Sequence, residues 1–440
     1  VTTPVIVWHR EDLRLHDHPA LDAGLLEGAP LPLLILDEQL LARADLTPRC
    51  QAWFMQNAAA LRQQYRRLGS ELVVRQGRPE RLLPELAQSW GVRAVHFLQS
   101  HTPYGLQRDR QVAAALRTVG IRAEAHDGLY LHRPGTLRTD GGEPYRVYTP
   151  FMKRLRLLPR AVPLATPGRL PPLPVGLPPG ELPELKSDIP LPLAGEAAAL
   201  AQLQTFVSQH LQRYHQTRNF PAKPGTSRLS PYLTLGVLSA RLAYHLAELA
   251  GGEGAQVWQN ELIWREFQAH LLASYPDTLE SPLNPRWQGF PWRDEAEALA
   301  AWRTGQTGYP VVDAGMLELA ATGYMHNRVR MVTASFLTKH LLIDWRQGER
   351  IFKALLLDGD TAQNVGNWQW TAGCGADAAP YFRIFNPLLQ AAKFDPDGAY
   401  VRRWRSEPGL PPMIDQAAAR ARYLEVAQAH LQRAESPVIM

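Results

Sequence analysis

Residues 159–193, PRAVPLATPGRLPPLPVGLPPGELPELKSDIPLPL, carry proline at a density that no helix or sheet interior tolerates. Each proline fixes φ and removes a backbone donor. So long a stretch without regular structure does not belong inside one compact domain. It predicts a semi-extended connector with a differently built domain on either side. The chain's 440 residues are enough for both.

Before the connector, short apolar runs alternate with helical patterns. Residues 4–9, 31–36, 71–75, 93–98 and 121–125 read as strands, and 52–68, 79–90 and 107–118 as helices. Such alternation implies parallel pairing through right-handed crossovers, hence an open α/β domain. No GxGxxG follows the first strand. Arg10, Asp12, Arg14 and Asp17 stand there instead, so the dinucleotide fingerprint is absent. Ligands of open sheets sit beyond the carboxyl ends of the strands. Arg10, Asp12, Asp37 and the turn Ser100–Gly105 gather at that edge, as a site or as plain ion pairs. From residue 196 the pattern is helical, over 196–214, 230–249, 255–274, 294–304, 311–322, 326–342, 347–356 and 415–433. The predicted organisation is an α/β domain over 1–130, a connector over 131–195 and an all-helical domain over 196–435.

Several function classes drop out. No HExxH, GxSxG, Walker loop or Cys/His ligand cluster occurs, so neither hydrolysis nor a resident metal is indicated. Cys50 and Cys374 provide no disulfide framework and point to a reducing, cytoplasmic setting. No apolar run is long enough to span a membrane. A net charge of +5 and a pI near 9.2 permit a polyanionic partner without demonstrating one.

The helical half holds the chemistry. Residues 358–385, DGDTAQNVGNWQWTAGCGADAAPYFRIF, mix carboxylates, amides, tryptophans and glycines, a composition suited to the wall of a polar-aromatic ligand. Glu261, Trp264 and Arg265 share one helix face, as do Asn327, Arg330 and Met331. Thr226, Ser227 and Arg228 precede a Ser230–Pro231 helix start. That pattern is a simple cap or a phosphate cradle, with Tyr214 and Arg218 upstream favouring phosphate. Trp292, Trp345 and Trp368 lie 53 and 23 positions apart, which does not show whether they meet.

Long ordered motifs then stand out: WHREDLRLHDHPAL (8–21), YRVYTPF (145–151), GTSRLSPYL (225–233), WQNELIWREF (258–267), GQTGYPVVDAGM (305–316), GYMHNRVRMVTASFLTKHLLIDW (323–345) and DGDTAQNVGNWQWTAGCGADAAPYFRIFNP (358–387). Through them the chain resembles the photolyase/cryptochrome family, most closely the microbial class I enzymes acting on cyclobutane pyrimidine dimers. The resemblance implies an α/β antenna domain, a long connector and an all-helical C-terminal domain holding FAD, active as FADH⁻. Tyr214, Thr226, Ser227, Arg228, Leu229, Ser230, Trp258, Glu261, Arg265, Asn327, Arg330, Asp358, Asp360 and Asn364 would bind that cofactor. Asn364 corresponds to the asparagine facing flavin N5, and Arg330 with Asp358 to an ion pair beside the ring. Trp368, Trp345 and Trp292 match an electron-transfer chain. Arg218, Glu261, Trp264, Asn327, Met331 and Trp370 match positions that meet the lesion, with Glu261, Asn327, Met331 and Asn364 in catalytic roles. A (6-4) photolyase is expected to carry histidine at Asn327 or Met331. Tyr324 stands where close relatives have tryptophan, and Val365 and Asn367 where some have Asn and Gly.

Arg10, Asp37, Tyr104, Arg108 and Asp109 would serve an antenna chromophore: an 8-hydroxy-deazaflavin, FMN or methenyltetrahydrofolate. The implied activity is that of a deoxyribodipyrimidine photo-lyase, a DNA-associated monomer acting on dimer-containing DNA. Arg228, Arg328, Lys339, Lys393, Arg402 and Arg403 are candidates for phosphate contact. The alternatives are a cryptochrome-like photoreceptor, disfavoured by the short stretch beyond Arg433, and a non-catalytic nucleic-acid-binding module, which leaves the polar-aromatic stretch unexplained.

Overall fold

The computed structural model describes residues 3–378, 380–405 and 409–435. Five strands, β1 (Pro4–His9), β2 (Ala29–Asp37), β3 (Val73–Gly77), β4 (Ala94–Leu98) and β5 (Arg122–His126), form one parallel sheet in the order β3-β2-β1-β4-β5. Ile6 of the central strand pairs with Leu31 on one side and Val95 on the other. Buried on both faces, β1 and β2 are apolar almost throughout instead of alternating. The intervening helices Pro19–Glu27, Pro48–Arg67, Pro79–Ser89 and Pro103–Thr118 each open on a proline, whose missing N–H costs nothing in a first turn. The expected α/β domain with an open parallel sheet is therefore present, and the regular elements after β5 are helices among the described residues.

By internal contacts the chain forms two compact units. One comprises Val1–Thr136, Arg154–Gln212 and Ser227–Glu266, the other Leu137–Lys153, Arg213–Thr226 and Phe267–Met440.

In the first unit the turn after β1 is a buried polar hub. The Tyr65 hydroxyl and His9 Nε2 are 2.6 Å apart, and His18 Nε2 and Asp12 Oδ2 2.9 Å. Arg14 donates to the carbonyls of Gly128 and Gly236, each at 2.8 Å. Glu196 accepts from the Leu15 amide at 2.6 Å, and Asp17 pairs with Arg241. The charged residues of WHREDLRLHDHPAL thus tie the sheet to helices far along the chain. His9, Asp12 and His18 are close enough to suggest a cation site. Their hydrogen bonds argue otherwise: His18 Nδ1 accepts from the Leu21 amide, so Nε2 must carry the proton and has no lone pair for a metal.

The proline-rich segment has no helix or strand over 159–193. It runs along the β3 edge, where the Val74 amide donates to the Pro179 carbonyl at 2.7 Å and Arg49 pairs with Asp188. It therefore caps an edge strand that would otherwise be open to pairing. Upstream of it, Tyr148–Arg156 is helical.

Two predicted helices differ in the structure. The one expected over 230–249 is interrupted between Ser230–Thr234 and Ala240–Ala250. Gly236 turns there at φ +57°, where a Cβ would lie 2.1 Å from the Glu11 carbonyl oxygen, so close approach of two backbones ends the helix. The helix expected over 326–342 is α-helical only over Asn327–Ser335 and continues as a π-turn over Phe336–His340. In the second unit the core assembles Trp302, Trp345, Phe352, Trp368, Tyr400 and Tyr423.

Burial pushes His18, His101, His270 and His340 down to about 4, so all four are neutral in the folded protein. Unfolding restores an ordinary value near 6.5, and the unfolded chain takes up protons first as the pH falls. Their contribution is complete above about pH 6.5 and is lost progressively toward pH 4, on the order of 3 kcal/mol per histidine at full effect. Denaturant midpoints measured from pH 7 to 4.5 should fall steeply; a flat profile would show that these rings are not held neutral.

Candidate functional site

The sheet order reverses between β1 and β4, the place where open α/β sheets take ligands. The residues expected there do gather. Arg10, at the end of β1, donates to Asp109 and to the Leu98 carbonyl, and its guanidinium lies 4.3 Å from the centre of the Trp8 ring. Arg108 donates to Asp109 at 3.1 Å, and the Tyr104 hydroxyl donates to Asp37 at 2.5 Å. Burial, helped by that hydrogen bond, raises the Tyr104 phenol. These side chains satisfy one another in a buried ion-pair cluster, so they do not by themselves show a chromophore site.

In the first unit, Gln202 Nε2 donates to the carbonyls of Ser227 and Arg228 at 2.7 and 3.0 Å. Arg228 holds φ +51°, a conformation that costs a non-glycine residue about 1 kcal/mol or more. Ser230 opens the following short helix and Leu229 is buried. Helix Gly252–Ser274 carries Trp258, Glu261, Trp264 and Arg265. Trp258 is buried against Phe206, with ring centres 5.0 Å apart. Arg265 donates to the Leu129 carbonyl at 3.0 Å and stacks on Tyr130 at 4.1 Å. Glu261 and Trp264 are half-buried. The neighbouring Glu266 is raised to about 7 by burial and accepts from the Leu131 and His132 amides.

In the second unit, Arg330 Nη2 reaches both oxygens of Asp358, at 3.1 and 2.8 Å, and its Nε donates to the Met325 carbonyl at 2.7 Å. Burial disfavours the guanidinium charge, but Asp358 outweighs it and raises Arg330. Residues 361–372 form a helix capped by Asp360, which accepts from the Gln363 amide. Asn364 on that helix donates both amide hydrogens to Glu349, at 2.9 and 2.8 Å, which directs its Oδ1 away as an acceptor. Asn327 is exposed; Met331 and Trp370 are half-buried. None of the three side chains has a hydrogen-bond or ring partner among the described residues. Tyr214 is buried with the Arg218 guanidinium 5.5 Å over its ring, and Thr226 is half-buried. Within this unit, Arg330 and Asn364 offer the two features that suit an anionic flavin ring: a fixed cation and a hydrogen acceptor.

The three tryptophans are connected through the same core. Trp368 packs on Gly348, where a Cβ would lie 2.2 Å from the indole. Gly348 sits one turn after Trp345 on helix Trp345–Leu355. A parallel bridge between Arg293 and Ile343 then brings the Trp292 segment alongside Trp345, and both rings border one cavity. Trp368 and Trp345 are buried and Trp292 is half-buried, so only the last of the three is accessible to solvent. Gly348 and Glu349 escaped the sequence reading, although their spacing of three and four from Trp345 marks one helix face. Among the candidates for phosphate contact, Lys339 fails. It is 1% exposed, donates to the Arg383 carbonyl and is pushed down to about 7 by burial. Its hydrophobic position in the π-turn keeps it from the surface. Lys393, Arg402 and Arg403 are exposed, and Arg328 stacks on Phe394 at 4.5 Å.

Residues 5–170 match the family profile described as DNA photolyase, and residues 258–429 that of the FAD binding domain of DNA photolyase. The deoxyribodipyrimidine photo-lyase of Thermus thermophilus is 47% identical over 97% of this chain and 98% of its own. Among solved structures, a class III photolyase from Agrobacterium tumefaciens superposes with a TM-score of 0.92 at 37% identity, covering 98% of both chains. A Synechocystis cryptochrome gives 0.89 at 29%, covering 97% of this chain and 99% of its own. An archaeal photolyase from Sulfolobus tokodaii with two FAD molecules gives 0.87 at 28%, covering 97% and 100%. Agreement at this identity along nearly the whole length, on a fold of the same elements, means that the chain belongs to the DNA photolyase family.

Proposed function

We propose that this protein repairs cyclobutane pyrimidine dimers in DNA by light-driven electron transfer from reduced FAD, as a deoxyribodipyrimidine photo-lyase. The observation that carries the reading is helix Thr361–Ala372, which places the Asn364 acceptor, the buried Trp368 and the unpartnered Trp370 on one rigid element. Bound FADH⁻ supplies, under light, the electron that opens the cyclobutane ring. The chain's own residues do the rest. Arg330, oriented by Asp358, offsets the negative charge of the reduced ring. Asn364 Oδ1 holds the hydrogen at flavin N5. Tyr214, Arg265, Asp360 and the segment Thr226–Ser230 retain the remainder of the cofactor, and Trp258 supports it from the core. Glu261 hydrogen-bonds the pyrimidine carbonyls and stabilises charge developing there. Asn327 and Met331 contact the damaged bases, Trp264 and Trp370 pack on them, and Arg218 holds a flanking phosphate. A lesion leaves the stack more cheaply than an intact pair. Basic side chains at Arg228, Arg328, Lys393, Arg402 and Arg403 add salt-dependent affinity for the backbone. Trp368, Trp345 and Trp292 return electrons to oxidised flavin.

The module boundaries 1–130, 131–195 and 196–435, the class I assignment, and a monomeric, cytoplasmic, DNA-associated enzyme belong to the same proposal. So does an antenna chromophore held near Arg10, Asp37, Tyr104, Arg108 and Asp109, a reading supported by the second FAD of the Sulfolobus protein.

Reduced protein should restore intact pyrimidines in DNA carrying cyclobutane dimers under blue light, and not in the dark. DNA carrying (6-4) lesions should remain unrepaired. Repair in the dark would contradict the mechanism. Intact photoreduction without any repair would favour the photoreceptor reading, which the cryptochrome-like fold supports.

A further inference from the structure

A cavity of about 270 Å³ lies beside the outer end of the tryptophan chain. Its lining includes an aromatic wall of Trp287, Phe290 and Trp292, together with Asp344, Trp345, Arg346 and Cys374. The three aromatic rings of that wall pack in sequence, Trp287 to Phe290 at 5.0 Å and Phe290 to Trp292 at 4.4 Å, and are tilted by 41° and 58°. Gly289, at φ +68°, forms part of the lining, and a Cβ there would meet nothing within 4 Å. The Asp344 carboxylate is 25% exposed and is the only anionic side chain in this lining. Arg346 donates to it at 3.0 Å while lying over the Trp345 ring at 4.8 Å. The arrangement presents flat aromatic walls beside a polar end, where the Asp344 carboxylate and its partner Arg346 meet and Gln288 lies nearby in the lining.

We propose that this cavity binds a small phenol and that the phenol is the electron donor which refills the tryptophan chain. The proposal deepens the electron-transfer reading of Trp292, Trp345 and Trp368 and rests on it. An aromatic ring of that size stacks against the tryptophan wall, and its hydroxyl donates to Asp344. Once Trp292 has given up an electron toward the flavin, it is a radical cation. The phenol passes one electron to Trp292, which returns to its closed-shell form. The phenolic O–H breaks, its proton goes to the Asp344 carboxylate and from there to water, and a phenoxyl radical leaves. One electron and one proton leave the phenol and nothing else is consumed. Cys374 does not compete as donor, because burial raises its thiol to about 12 and keeps it protonated.

The test uses flavin-loaded, full-length protein with p-cresol as probe. In the dark, cresol should quench tryptophan fluorescence with a dissociation constant on the order of 1 mM, as fits so small a ligand. Under blue light, the rate of flavin photoreduction should saturate over the same concentration range. Gln288 is an exposed lining residue, and Gln288→Trp, which places an indole across the mouth, should raise both half-saturation values about tenfold. 4-Methylanisole, of nearly the same shape but without an O–H to give, should not accelerate photoreduction and needs no variant to fold. A rate linear in cresol without saturation, or equal acceleration by the anisole, would overturn the proposal. Failure of photoreduction even with excess ferrocyanide would remove the underlying electron route instead, and dark binding would still decide whether the cavity takes a phenol.

Discussion

Replacing Trp368 by phenylalanine is expected to slow photoreduction of oxidised flavin about 100-fold, or about 2.7 kcal/mol read as a barrier. Repair by chemically reduced protein should stay within about twofold of the parent. The difference follows from geometry. Trp368 is 2% exposed, sits on Gly348, and contacts Phe352 and Trp302 at ring-centre distances of 5.0 and 6.1 Å. A phenyl ring keeps most of that packing but is far harder to oxidise than an indole. Trp302→Phe is the matching control. Trp302 is fully buried, and its indole N–H donates to the Thr333 carbonyl, so it leads nowhere toward solvent. Its substitution should leave photoreduction unchanged. If Trp368→Phe impairs both reactions equally, Trp368 is a packing or substrate residue and the proposed chain is wrong.

Asp358→Asn should destabilise the protein by about 3 kcal/mol and cost it most of its flavin. Asp358 is almost wholly buried, its side chain 4% exposed, whereas Arg330 is 24% exposed, which places the effect at the low end of the range for breaking a buried pair. Asparagine preserves shape and one acceptor, but the Arg330 guanidinium loses the charge that offsets its burial. A thermal melt together with the ratio of flavin to protein absorbance measures both consequences. An unchanged melt with full flavin content would mean that Arg330 draws its support from elsewhere.

Local pattern reached far in this chain. Apolar runs are enough to place β1, β2 and β4, because burial on both faces leaves a strand no polar alternation; β5, RAEAH, is a partly exposed edge strand without such a run. Proline density likewise marks 159–193 as irregular. Where backbone meets backbone over long distances the pattern is silent. Gly236 reads as one more helical residue until the Glu11 carbonyl is found against it. Lys339 reads as a surface cation until the π-turn buries it. The expected antenna residues show the reverse limit: their gathering at one sheet edge follows from strand order, but their saturation by one another does not.

For the site, the amino-acid sequence by itself determined which chemical groups are present: a carboxylate and an arginine to form a pair, an amide on the helix after Asp360, three oxidisable rings. Their types and motif order need no coordinates. Only the tertiary structure decided that Arg330 meets Asp358, that Glu349 turns Asn364 outward, and that a bridge from Arg293 to Ile343 brings Trp292 beside Trp345. Those contacts join residues 15 to 50 positions apart. Helix spacing relates only side chains within a turn or two, and long-range proximity depends on how whole elements pack.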